Sequence, residues 1–130
     1  MKYKILLIDD DKDDRDLLLE TLKAAGISDL LIAGSAEEGW KILEKSEILP
    51  DLIILDLFMP HVDGLEMLIQ LKADDKYRDI DVVIYSASTL SIHHNQALNL
   101  GARKFISKPM LKSEYPSVVE SIMENIYADC

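Results

Sequence analysis

Four places in the sequence set a reactive polar residue directly after an apolar run: Asp9-Asp10-Asp11 after Lys4–Ile8, Asp56 after Leu52–Leu55, Ser86 after Asp81–Tyr85, and Lys108-Pro109 after Lys104–Ser107. Carboxylates held in contact repel one another and favour protonation, so a site built from Asp9, Asp10 and Asp56 calls for a cation. Oxygen donors without sulfur or imidazole select a hard ion, and a site with few protein ligands and room for phosphate suits Mg2+. Lys108 would then offer a fixed positive charge to an anionic group, and Ser86 a hydroxyl to a phosphoryl oxygen. The chemistry this combination describes is phosphoryl transfer onto a carboxylate.

For that chemistry the four clusters must share one edge, so the runs before them must be parallel strands. Asp51 to Pro60 is the clearest case: Leu52-Ile53-Ile54-Leu55 is unbroken and apolar, the pattern of a strand buried on both faces. Ligands bind at the carboxyl ends of such strands. Taken alone, Asp56 reads equally well as a turn acid before Pro60; the other three strands decide in favour of a site. Between them lie helical patterns. Leu18, Leu22 and Ala25 repeat at helical spacing over residues 13–25, closed by Gly26, and Ser35 with Glu38 forms a capping box ahead of the stripe Ala36, Trp40 and Leu43. Asp63 caps a helix over 63–73, paired with Glu66 and helped by Gly64. Residues 90–100 form the weakest helix, interrupted by His93, His94 and Asn95 and expected to be mobile, with Gly101 after it. A final amphipathic helix begins near Ser113, carries Val118, Val119, Ile122, Met123 and Ile126 inward, and tolerates Pro116 in its first turn. The expected fold is α/β: a five-stranded, doubly wound parallel sheet with right-handed crossovers and helices on both faces, in one domain spanning 1–130.

Composition narrows the partners. Against 14 basic residues stand 24 acidic ones, for a net charge of −10, which argues against a nucleic-acid backbone as ligand and favours cations and basic surfaces. The single cysteine, Cys130, makes no internal disulfide, and no Cys/His spacing suits zinc, so a reducing cytoplasm is expected. No apolar run approaches the ~20 residues of a membrane span, and Met1-Lys2-Tyr3-Lys4 leads straight into a strand pattern, not a signal-peptide core.

Read in order, Leu7-Ile8-Asp9-Asp10, Asp56-Leu57-Phe58-Met59-Pro60 with Asp63-Gly64, Tyr85-Ser86-Ala87, and Phe105-Ile106-Ser107-Lys108-Pro109 resemble the receiver domain of bacterial two-component response regulators, the single-domain chemotaxis type included. The resemblance covers essentially the whole chain. It implies a flavodoxin-like three-layer sandwich in which Asp56 accepts a phosphoryl group from a histidine kinase or a histidine phosphotransfer protein. By the same resemblance Asp10 and Asp56 hold Mg2+ together with the backbone carbonyl of Phe58, Asp9 acts mainly through water, and Ser86 and Lys108 contact the phosphoryl group. Phe105 occupies the aromatic switch position. The protein would be a phosphoacceptor with self-phosphorylation and self-dephosphorylation chemistry, not an enzyme acting on other substrates.

A switch follows from these residues. Phosphorylation adds charge and acceptor oxygens at Asp56, Ser86 moves toward them, and Phe105 turns into the vacated space, shifting the helix over 90–100. That helix, the fifth strand and the final helix form the expected output surface. No effector domain follows Tyr127, so output would pass through a protein partner, a phosphorelay, or a homodimer formed through the last helix. Ser86 stands where threonine is commoner, and Phe105 lacks the hydroxyl some relatives use. Phe58 and Ser88, flanking the phosphoryl group, supply no acid or amide to orient water, so self-dephosphorylation is expected to be slow.

Other acids and histidines read more plainly. Asp11, Asp13, Asp14 and Asp16 fit helix-start charges on a solvated face, and His61, His93 and His94 fit surface histidines. Trp40 and Met123 fit packing. Asp9, Asp11, Asp13 and Glu20 match the spacing of a calcium-binding EF-hand loop, but Asp14 stands where that loop needs glycine. An aspartyl-phosphate phosphatase with Asp9 as nucleophile and Asp11 as acid would leave Asp56 idle, and its further acid pair would have to be Asp74-Asp75, on the wrong side of Lys108.

Overall fold

The computed structural model describes residues 3–57, 64–87 and 90–128, with side chains as far as Glu124. Five strands, β1 (Lys4–Ile8), β2 (Asp29–Ala33), β3 (Leu52–Leu55), β4 (Asp81–Ser86) and β5 (Lys104–Ser107), form one sheet in the order β2-β1-β3-β4-β5. Every pairing is parallel. All five strands therefore deliver their carboxyl ends to the same edge. β1, β3 and β5 have the ends read from the sequence. β2 begins at Asp29, one residue before the strand expected from the apolar run Leu30–Ala33, and β4 runs on to include Ser86.

Helices α1 (Lys12–Ala24), α2 (Ala36–Lys45), α3 (Gly64–Ala73), α4 (Ser91–Asn99) and α5 (Tyr115–Ala128) divide between the two faces. Alternation along the strands decides which side chains meet which helices. Ile5 and Leu7 of β1 face Leu18 and Leu22 of α1 and Val119 and Ile122 of α5 in one core. Leu6 and Ile8 face Leu43 of α2, Met67 and Leu71 of α3 and Ala97 of α4 in the other. The doubly wound arrangement expected from the apolar runs is the one observed.

Helix ends follow local capping chemistry. The Asp11 carboxylate accepts from the N–H groups of Asp13 and Asp14, so α1 starts at Lys12, slightly earlier than its apolar stripe suggests. Ser35 accepts from the Glu38 N–H at 3.1 Å, but Glu38 returns to the Gly34 N–H at 2.6 Å instead of to Ser35, which modifies the capping box read from the sequence. Before α5 lies a single 3₁₀ turn, Lys112–Glu114, closed by the Glu114 carboxylate on the Leu111 N–H; the helix proper starts at Tyr115, not at Ser113. Gly26 and Gly101 take φ of 95° and 107°, the left-handed conformation that ends a helix at least cost with glycine.

Candidate functional site

Each site residue lies at the carboxyl end of its strand, and the backbone is bonded to the neighbouring strand there. Asp9 N–H donates to Ala33 O at 3.1 Å, Asp56 N–H to Ile8 O at 3.0 Å, and Lys108 N–H to Ser86 O at 2.7 Å. The ladders thus extend past the apolar runs and hold the polar residues as rigidly as the strands themselves. Asp56 is further fixed by Gly64, whose N–H donates to Leu57 O at 2.8 Å. A Cβ at position 64 would run into the Asp56 carbonyl oxygen and lie 2.7 Å from Leu57 Cα, so only glycine lets α3 approach this closely.

Carboxylate oxygens of Asp9, Asp10 and Asp56 lie within 4.8 Å of one another, an all-oxygen set able to hold a hard divalent cation. Asp9 is 1% exposed and Asp56 5%, while Asp10 is exposed. Two buried acids beside a third are unfavourable unless a positive charge compensates them. Lys108 supplies one: its Nζ lies 2.8 Å from Asp9 Oδ2, 3.1 Å from Asp14 Oδ2 and 3.3 Å from Asp56 Oδ2, with only 10% of the side chain exposed. Burial alone would lower the Lys108 pKa. The hydrogen bond to Asp9, the charges of Asp56 and Asp9, and a hydrogen bond to Asp14 outweigh it and hold the group above the ordinary lysine value, so the ammonium stays charged. The ammonium also sits 5.7 Å from the centroid of the Tyr85 ring. Asp9 Oδ1 is occupied separately by the Asp11 N–H at 3.0 Å, and the Asp9 carbonyl by Arg15 Nη1 at 3.1 Å.

Asp9, Asp10, Asp56 and Lys108 therefore come together as expected. Ser86, fully buried, ends β4 at the same edge, bonded to Lys108 through the backbone. Phe105 on β5 is half-buried and stacks on His94 of α4, ring centroids 5.2 Å apart. Phe58, Ser88, His61 and the Asp63 cap lie outside the described residues, and so does Cys130. Two residues read as surface positions have partners that the sequence did not show, although His94 is exposed as expected. Asp14 is a direct partner of Lys108, and His94 is the stacking partner of Phe105. The only hint of Asp14 in the sequence was its place one helical turn after Asp10, on the site side of α1.

The competing readings lose their geometry. Residues 12–24 are helical and Asp11 caps them, so Asp13 and Glu20 belong to no calcium loop. Asp74 follows α3 on the connection entering β4, at the opposite edge of the sheet from Lys108. Among the described residues no helix is long and apolar enough to cross a membrane.

Comparison with known proteins agrees with this fold. The profile of the response regulator receiver domain matches residues 5–120. The phosphorylated cyanobacterial phytochrome response regulator RcpA superimposes with a TM-score of 0.87 at 28% identity, covering 95% of this chain and 93% of that one. The Mn(2+)-bound form of response regulator Rcp1 gives 0.84 at 27% identity, over 93% and 91%. A chemotaxis protein CheY homologue of Campylobacter jejuni is 29% identical over 95% of this chain and 91% of its own length. Other relatives are longer: the chain spans 51% of the response regulator Rre1 of Synechocystis and 16% of the cyclic-nucleotide phosphodiesterase regA of Dictyostelium discoideum.

Proposed function

The chain belongs to the response regulator receiver family, and from that premise we propose that it is a phosphorylation-dependent signalling switch whose phosphoacceptor is Asp56. An Asp56 carboxylate oxygen attacks the phosphorus of a phosphohistidine on a histidine kinase or phosphotransfer protein; the O–P bond forms as the N–P bond breaks, and the histidine leaves. The observation that carries this reading is a buried Asp56 carboxylate grouped with Asp9 and Asp10 oxygens and 3.3 Å from the Lys108 ammonium. Asp10, Asp56 and the Phe58 carbonyl would hold Mg2+, with Asp9 acting mainly through water, and the ion would neutralise charge developing on the transferred group. Ser86 and Lys108 bind phosphoryl oxygens. The test is direct. Incubation with a small acyl phosphate and Mg2+ adds one phosphoryl group by intact mass, and Asp56→Asn abolishes the addition; persistence in that variant, or its loss only in Asp9→Asn, overturns the assignment.

Output passes through Ser86 and Phe105 to α4, where Leu90, Ile92 and Leu98 stand exposed, with Met110 and Leu111 beyond β5. A protein target, or a second copy meeting the exposed side of α5, would read that change; light scattering with and without beryllofluoride distinguishes the two. With no acid or amide at Phe58 or Ser88 to orient water, loss of the phosphoryl group is slow. Phe58→Asn shortens the lifetime of the phosphorylated form, and an unchanged lifetime would refute the point.

A further inference from the structure

Lys108 has three N–H donors, and three carboxylates surround it: Asp9 at 2.8 Å, Asp14 at 3.1 Å and Asp56 at 3.3 Å. These partners are not equivalent. Asp9 and Asp56 belong to the group able to hold a metal, so a bound cation draws their charge away from the ammonium, whereas Asp14 lies outside that group. Asp14 is also fixed in place. Its N–H donates to the Asp11 carboxylate at 3.1 Å, and the Asp11 N–H donates to Asp9 Oδ1 at 3.0 Å, so the first turn of α1 is tied to the site. Once the cation is bound, Asp14 is the carboxylate still competing for Lys108.

We propose that Asp14 is a positioning residue that competes with the phosphoryl group for the Lys108 ammonium and so limits how strongly the site holds an anion on Asp56. The proposal rests on the receiver reading and concerns the regulation of that same site. Two effects of removing the Asp14 charge oppose each other. Lys108 loses a restraint on its long side chain, which weakens anion binding. The site also loses a negative charge beside the incoming anion and the ammonium becomes free to meet it, which strengthens binding. The second effect dominates, because burial already confines Lys108, whose side chain is only 10% exposed. Asp14 is 32% exposed, so solvent screening keeps the gain moderate.

The experiment is a beryllofluoride titration with Mg2+, followed by the backbone amide signals of Ser86 and Lys108, on the wild type, Asp14→Asn, Asp14→Glu and Asp13→Asn. Asparagine keeps a hydrogen-bond acceptor and removes only the charge. Asp14→Asn tightens beryllofluoride binding about three- to tenfold, where tenfold corresponds to about 1.4 kcal/mol. Asp14→Glu stays within about twofold of wild type. Asp13→Asn removes the same formal charge one residue away, at an exposed position, and also stays within about twofold. A wild type that binds while Asp14→Asn binds equally or more weakly overturns the competition and leaves the receiver reading standing; equal tightening in Asp13→Asn overturns it too, by reducing it to general charge. A wild type that fails to bind beryllofluoride overturns the receiver reading itself.

Discussion

Helices α1 and α4 each follow a strand with a site residue at its carboxyl end, Asp9 just after β1 and Ser86 closing β4, yet they are built on opposite terms. α1 has a capping aspartate accepting two N–H groups, acids at Asp13 and Asp14 in its first turn, Lys23 in its last turn, and Leu18, Leu19 and Leu22 buried. α4 has Leu90 at its cap without a side-chain bond, no acid in the first turn, no base in the last, and Ala97 as its one buried residue. Capping and dipole complementarity contribute about 1 kcal/mol or less each, but buried leucines contribute several times that, so the contrast is mainly one of packing. α1 can hold a charge in place against Lys108. α4 can shift at small cost, which is what an element reporting on Ser86 and Phe105 requires.

The sharpest way to break this contrast is to truncate both helices. Leu22→Ala, at a fully buried position of α1, is expected to lower the unfolding free energy by about 2–5 kcal/mol. Ile92→Ala, at a position of α4 that is 60% exposed, is expected to change it by no more than about 0.5 kcal/mol. Urea denaturation followed by circular dichroism measures both. Comparable losses would mean that α4 is anchored as firmly as α1, and the division between a positioning helix and a responsive one would fall.

The same contrast explains what the sequence could tell. Strand ends were legible because runs such as Leu52–Leu55 are buried on both faces and compete with no helical period. The weakness of α4 was legible in its sparse apolar residues. Asp14 was not, because its meaning depends on a partner 94 residues away, and an acid in the first turn is already explained by the helix dipole. His94 was hidden in the same way. An exposed histidine on a polar helix carries no mark of the ring it will stack on, since that contact is set by how α4 lies against β5 and not by either local pattern.

His94 also offers the finer probe of α4. Its ring lies 5.2 Å from Phe105 at an interplanar angle of 25°, and because His94 is exposed the stack falls at the low end of the range for aromatic pairs, about 0.5 kcal/mol. An interaction that small hardly registers in global stability, so His94→Ala is expected to unfold within about 0.5 kcal/mol of wild type. It registers in a switch. On the proposed mechanism Phe105 leaves His94 when Asp56 carries its phosphoryl group, so the stack favours the unphosphorylated arrangement alone, and removing it shifts the equilibrium by its full value. That amounts to about a twofold gain in beryllofluoride affinity. The Phe105 ring resonances, followed by NMR in the same titration, report whether the ring moves with the site. Ring signals that His94→Ala alters but beryllofluoride leaves unmoved, with unchanged affinity, would mean that Phe105 and Asp56 are uncoupled, leaving α4 loosely held for some reason other than signalling.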